Sequence, residues 1–82
     1  MQLSALNYNQ DVQVSDEIIA KVLNIEIGQI SIADDTGTAV VHLANFDITT
    51  IRLGKCYSFM FLEVKDGKLW VRFTPGLYLF RF

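Results

Sequence analysis

The feature that most constrains this chain is the segment from Ile30 to Leu43, in which apolar and polar side chains alternate on both sides of an Asp-Asp-Thr-Gly-Thr sequence. Alternation with a period of two is typical of strands that bury one face. The turn is polar and contains Gly37, which can take a positive φ and so lets the chain reverse within a few residues. The segment therefore predicts an antiparallel hairpin, and we expect Asp34 and Asp35 to accept hydrogen bonds from nearby backbone N–H groups.

Length and composition indicate one small domain with a real core, since 51% of the 82 residues are apolar. No apolar run approaches the roughly 18 residues of a membrane span, and the N-terminus lacks a basic-then-apolar signal pattern. We therefore predict a soluble, intracellular protein, nuclear in a eukaryote, that does not bind membranes. One cysteine (Cys56) and one histidine (His42) allow neither an internal disulfide nor a structural zinc site, so no metal or other cofactor is expected. Cys56 is interpreted as a buried, small apolar residue.

The net charge of −2 conceals an uneven distribution. Residues 1–50 contain seven acidic residues and one basic residue, a net charge of −6, whereas residues 51–82 contain six basic and two acidic residues, a net charge of +4. Poles of opposite sign can steer a charged partner even when the total charge is near zero. The alternative interpretation is an ordinary solvated surface.

The rest of the chain also has strand character. Five strands are predicted, over residues 16–27, 29–34, 38–44, 55–64 and 69–73. Turns are expected at Gly28 and at Lys65-Asp66-Gly67-Lys68, where Asp-Gly favours a tight hairpin. At most one short helix is expected, over residues 46–51. On the fourth strand, Tyr57, Phe59 and Phe61 share a parity and are predicted to face the core.

Residues 1–15 are predicted to form an N-terminal arm or an extra edge strand, and residues 16–82 the main domain. Both parities of the first strand are apolar in places, which suits a long, bent strand that serves two sheets. Closure into a small barrel, complete or partly open, would remove exposed sheet edges. The predicted fold class is therefore all-β, with five strands in a small barrel.

The order of strands and turns, with the motifs Ile32-Ala33-Asp34-Asp35-Thr36-Gly37 and Ile51-Arg52-Leu53-Gly54-Lys55, resembles the OB-fold of single-stranded DNA-binding proteins. The similarity is greatest to the replication protein A and single-strand-sensor branch, and it covers about residues 16–75. The resemblance implies a five-stranded OB-type barrel that binds single-stranded nucleic acid, DNA ahead of RNA.

Catalysis finds little support, because no spacing joins the serines, His42 or the acidic residues into a nucleophile-and-base arrangement. A binding face is better supported. Strand parity turns Leu69, Val71 and Phe73 inward. Lys68, Trp70 and Arg72 then share the outer face, where a ring between two cations suits the binding of bases and phosphates. The predicted nucleic-acid-binding residues are Trp70, Lys68, Arg72, Lys65, His42, Ser31 and Val40. The alternative for Trp70 is a structural role, in which it covers one end of the barrel.

A second function stays open, namely a protein-interaction OB module that serves as a subunit of a larger nucleic-acid maintenance complex. Ala44, at a place where the family often carries a stacking aromatic, and the acidic N-terminal half both favour it. An apolar C-terminal tail favours it too, and we expect this tail to pack on the barrel or to bind a protein partner. The tail consists of Leu77, Tyr78, Leu79, Phe80 and Phe82.

Overall fold

A computed structural model of the chain describes residues 1–43, 51–60, 62–71 and 79–81, the last range by its backbone alone. These residues form an all-β domain with one turn of 3-10 helix, Leu3–Ala5, near the N-terminus. The strands are β1 (Val12–Val14), β2 (Ile18–Glu26), β3 (Gln29–Asp34), β4 (Gly37–Leu43), β5 (Cys56–Phe59), β6 (Leu62–Lys65), β7 (Lys68–Val71) and β8 (Leu79–Arg81). None of the helices in the described part of the chain is long and apolar enough to cross a membrane.

The eight strands belong to one sheet in the order β1-β6-β7-β4-β3-β2-β5-β8. Between described strands the pairing is antiparallel except for β4 and β7, which run parallel and align His42 with Trp70. Among these residues the order ends at β1 and at β8, so hydrogen bonding does not close the sheet into a ring. The parallel pair joins the hairpin of β3 and β4 to that of β6 and β7.

The all-β prediction is confirmed, but the predicted count of five strands is wrong. The fourth predicted strand is divided into β5, which pairs with β2, and β6, which pairs with β7. Two further strands lie at the ends of the sheet, β1 against β6 and β8 against β5. Of the two alternatives for residues 1–15, an arm or an extra edge strand, residues 12–14 form the strand, and residues 79–81 of the apolar tail pair with their own domain. Apart from Ile51, the predicted helix over residues 46–51 lies outside the described residues.

A bulge in β2 explains why both of its parities carry apolar residues. The register shifts between Val22, which pairs with Ile32, and Asn24, which pairs with Ser31. Leu23 is the extra residue, and it is 47% exposed. The shift turns Val22 towards the core on one side of the bulge and lets Ile25 pack against the same core on the other.

One hydrophobic core takes side chains from the strands and from the N-terminal segment. Leu3 and Val14 are buried in the same cluster as the strand residues, so residues 1–15 contribute to the main core. Tyr57 and Phe59 are buried as predicted, whereas Phe61 lies outside the described residues. Cys56 is only partly buried. The fully buried apolar residues at the centre of the core are Phe59, Ile18, Ile30, Ile32, Leu62, Leu69, Val22, Val41 and Val64.

The carboxylate of Asp34 organises the turn between β3 and β4, as the sequence predicted. Its Oδ1 accepts hydrogen bonds from the Thr36 hydroxyl (2.6 Å), the Thr36 backbone N–H (2.7 Å) and the Gly37 N–H (3.0 Å). Its Oδ2 accepts one from the Leu3 N–H (2.8 Å), which fastens the N-terminal segment to the hairpin. Gly37 does not use the positive φ open to a glycine: the described glycines with positive φ are Gly28, Gly54 and Gly67. The side-chain hydrogen bonds of Asp34 stabilise the reversal instead.

These hydrogen bonds, the Thr36 hydroxyl first and the Leu3 N–H second, lower the pKa of Asp34 from 3.8 to about 2. Because the folded-state pKa is depressed, the carboxylate stabilises the fold above its unfolded pKa, and this stabilisation is lost as the pH falls towards 2. We expect Asp34→Ala to lower the Tm by several degrees at neutral pH and the difference from wild type to shrink between about pH 4 and pH 2. Thermal unfolding followed by circular dichroism measures both effects. Asp35→Ala, in the same turn, is the control, and an equal loss in that variant would contradict the assignment to Asp34.

The turn between β6 and β7 has the geometry expected for Asp-Gly. Asp66 and Gly67 have φ values of 54° and 74°, as mirror-image hairpin turns require. The Asp66 N–H also donates to Asp11 Oδ1 (3.0 Å), which connects this turn to the residue before β1. The turn fixes Lys65 opposite Lys68.

Candidate nucleic-acid interface

A row of polar and aromatic side chains crosses the outer face of the sheet. Register pairs Gln29 with His42, His42 with Trp70, and Trp70 with Glu63. The pairing continues to Glu26 on β2 and to Gln13 on β1. Because successive side chains on a strand point to opposite faces, the buried neighbours of these residues lie on the core side. We call this set the transverse row: Glu26, Gln29, His42, Trp70, Glu63 and Gln13.

The centre of the transverse row is an aromatic pair. The rings of His42 and Trp70 lie 5.0 Å apart between centroids, with an interplanar angle of 38°. Both residues are partly exposed, so the pair combines ring–ring contact with an accessible surface. The Trp70 Nε1 is buried and has no hydrogen-bond partner among the described residues. The Trp70 side chain is thus buried at its Nε1 while the residue as a whole stays partly exposed.

Beside the transverse row lie two more pairs of predicted site residues. Ser31 pairs with Val40, whose side chain is 42% exposed, and Lys65 pairs with Lys68. Val41 pairs with Leu69 in the parallel ladder, and Val40 and Lys68 each come one residue earlier. The Ser31–Val40 and Lys65–Lys68 pairs are therefore neighbours across β4 and β7. The lysines flank the β6–β7 turn and are exposed. We call Lys65 and Lys68 the lysine pair.

The structure brings six of the seven predicted site residues onto one face. They are Ser31, Val40, His42, Lys65, Lys68 and Trp70. The seventh, Arg72, lies outside the described residues, as does Phe73. Leu69 and Val71 are buried, which agrees with the predicted parity of β7.

The amide and carboxylate members of the transverse row were not among the residues predicted from the sequence. The Glu26 carboxylate accepts hydrogen bonds from Gln29 Nε2 (2.9 Å) and from Asn24 Nδ2 (3.2 Å), so the three side chains form one cluster. Glu63 lies on the other side of the aromatic pair, directly opposite Trp70. Strand parity places Gln29 and Glu63 on outer faces, but only the register of β4 against β7 shows that they share a row.

A separate cavity of about 430 Å³ has a different chemistry. Its lining contains four acidic residues together with the N-terminal residues and Ile19. None of the residues of the transverse row or of the lysine pair contributes to it. Its acidic lining would repel phosphates, so it is not part of the candidate interface. The acidic residues are Asp16, Glu17, Asp34 and Asp35.

No protein-family model, no curated protein and no solved structure matches this chain. Within the described residues, no group of three or more His, Cys, Asp or Glu side chains could hold a metal ion. The described residues of the candidate interface present ring surfaces, lysine ammonium groups, amides and carboxylates.

Proposed function

We propose that the chain is a non-catalytic domain that binds single-stranded nucleic acid, DNA in preference to RNA, on the outer face of β3, β4, β7 and β6. The observation that carries the proposal is the ring pair of His42 and Trp70, which lies on a sheet face beside the lysine pair. Aromatic rings that stack bases, next to cations that contact phosphates, are the recurrent components of single-strand binding sites.

The eight described strands do not close into a ring, but the order of the central strands supports an OB-type arrangement. When β5 and β6 are counted as one interrupted strand, five strands follow in the order β2, β3, β4, β7 and β5–β6, and the last contacts both β7 and β2. OB-folds bind oligonucleotides on the face of their second and third strands and with the loops between strands 1–2 and 4–5. Here those strands are β3 and β4, and the β6–β7 turn with its lysine pair is the loop between strands 4 and 5.

The charges on this face predict modest affinity. Lys65 and Lys68 are the described cations beside the transverse row, while Glu26 and Glu63 lie within it. Binding through few phosphates releases few counterions, so its salt dependence is shallow. Stacking on Trp70 and His42 then contributes most of the affinity.

We expect an oligo-dT of about ten nucleotides to quench the emission of Trp70 at micromolar concentrations, because a base stacks on the indole. Trp70 is the chain's only tryptophan, so the signal reports on this site alone. Raising the salt concentration should weaken binding, and the slope of log affinity against log salt concentration should correspond to about two to four phosphate contacts. Lys68→Gln and Lys65→Gln should each reduce that slope by about one. If the emission of Trp70 does not change when DNA or RNA oligomers are added, even at low salt, the proposed function is contradicted.

A second candidate is the protein-interaction module, serving as a subunit of a larger nucleic-acid maintenance complex. The observation that favours it is exposed apolar surface on β2, where Ile19 and Leu23 are each 47% exposed. The tail remains a proposed contact for a protein partner, although the backbone of residues 79–81 pairs with β5. Recovery of a specific protein by affinity capture, lost in an Ile19→Ser and Leu23→Ser double variant, would support this candidate if no oligonucleotide binds.

A further inference from the structure

The carboxylate of Glu63 occupies an unexpected place for a site that contacts phosphates. It is directly opposite Trp70 in an antiparallel pair, in which Cβ atoms lie about 5 Å apart. A phosphate placed there would be repelled by the carboxylate, whereas a base stacked on the indole would present its edge to it. Within the proposed function, the transverse row therefore suits bases, and the lysine pair suits the phosphates.

Glu63 differs from Glu26, the other carboxylate of the row. Both oxygens of Glu26 already accept hydrogen bonds, from Asn24 and from Gln29. None of the side-chain hydrogen bonds between described residues involves Glu63, whose side chain is partly exposed. Its partly exposed side chain therefore lies next to the Trp70 ring and carries a carboxylate, an acceptor group.

We propose that Glu63 selects guanine at the position stacked on Trp70. An ionised carboxylate is an acceptor only, with two oxygens side by side. The Watson–Crick edge of guanine carries two adjacent donors, N1–H and the N2 amino group, which match those oxygens in a bidentate pair. Thymine and uracil present one N–H between two carbonyl oxygens, and these carbonyls repel the carboxylate. Single-stranded bases expose this edge, so it can be recognised without melting a duplex.

This inference rests on the proposed function, and the test separates the two. Three ten-nucleotide DNA oligomers are titrated while the emission of Trp70 is followed: all thymine, thymine with one central guanine, and thymine with one central inosine. A single guanine avoids the four-stranded structures that guanine runs form. We expect the guanine oligomer to bind about tenfold more tightly than the all-thymine oligomer, because a good bidentate contact discriminates against the wrong base by about that factor. Inosine keeps N1–H but lacks the amino group, so most of this gain should disappear.

Glu63→Gln should abolish the preference for guanine, because the amide replaces one acceptor with a donor. It should also tighten binding of the all-thymine oligomer slightly, since a negative charge leaves the face. Asp35→Asn is the matched control: it removes the same charge at a turn distant from Glu63 along the chain, and it should leave the guanine preference unchanged. Circular dichroism and thermal unfolding establish that each variant is folded, and Glu63→Asp provides a second variant that keeps the charge and shortens its reach.

The outcomes are distinguishable. Equal binding of the three oligomers by the wild-type chain would overturn the role of Glu63 while leaving the proposed function intact. A guanine preference that survives in Glu63→Gln would overturn the same assignment. Binding of none of the oligomers, at any salt concentration, would overturn the proposed function and the guanine preference together.

Discussion

Trp70→Ala is expected to weaken binding of a fluorescently labelled oligo-dT at least about tenfold, because stacking contributes roughly 1–3 kcal/mol per base. The label is required since the variant lacks tryptophan, and fluorescence anisotropy gives the affinity. We expect a larger loss of affinity from this substitution than from any other single change on the face, because Trp70 contacts His42 on β4 and lies opposite Glu63 on β6.

Two further variants test whether stacking or mere packing explains the loss. Trp70→Phe keeps an aromatic ring and removes the buried Nε1 that has no partner among the described residues. It should retain most of the affinity and lose no stability from that donor. His42→Ala should weaken binding by a smaller factor. If Trp70→Ala binds as tightly as the wild type while remaining folded, the stacking site is wrong.

Ile32→Ala is expected to lower the free energy of unfolding by about 2–5 kcal/mol, the range for deleting a fully buried aliphatic side chain. Ile32 is fully buried on β3 beneath the candidate interface, where it pairs with Ala39 on β4. A domain of this size is marginally stable, so the loss is a large fraction of the total. Urea unfolding followed by circular dichroism measures it.

Ile27→Ala is the matched control, because it removes the same atoms from a residue that is 100% exposed at the turn between β2 and β3. It should change the free energy of unfolding by no more than about 0.5 kcal/mol. If the two substitutions lowered the free energy of unfolding equally, the assignment of Ile32 to the core would be wrong. Together the two substitutions measure burial independently of residue type.

The outer face of β7 and the turn before it were predictable from sequence, since both depend on local patterns. Because side chains alternate along a strand, Trp70 points to the face opposite that of its buried neighbours Leu69 and Val71. Asp66-Gly67 favours a two-residue hairpin turn. The inward direction of Tyr57 and Phe59 follows from the same reasoning. These features involve residues that are adjacent or nearly adjacent in the chain.

Features that depend on distant pairing were not predictable. The β6–β7 hairpin places Glu63 opposite Trp70, but neither strand reveals that His42 and Gln29 continue the same row, because this needs the register of the parallel pair. The bulge at Leu23 shifts one residue and so changes which apolar side chains of β2 face inward. The division of the fourth predicted strand into β5 and β6 likewise arises because the two parts pair with different strands.

The parallel pairing of β4 with β7 also has a kinetic consequence. His42 and Trp70 are 28 positions apart, and their strands come from separate hairpins that can each form locally. Pairings between distant segments form slowly because loop closure must precede the contact, and β-rich domains fold on the order of milliseconds to seconds. The face that carries the ring pair would thus be among the last parts of the molecule to assemble. Because His42 belongs to one hairpin and Trp70 to the other, a nascent chain would form the ring pair only once residues 68–71 have been synthesised and have paired with β4.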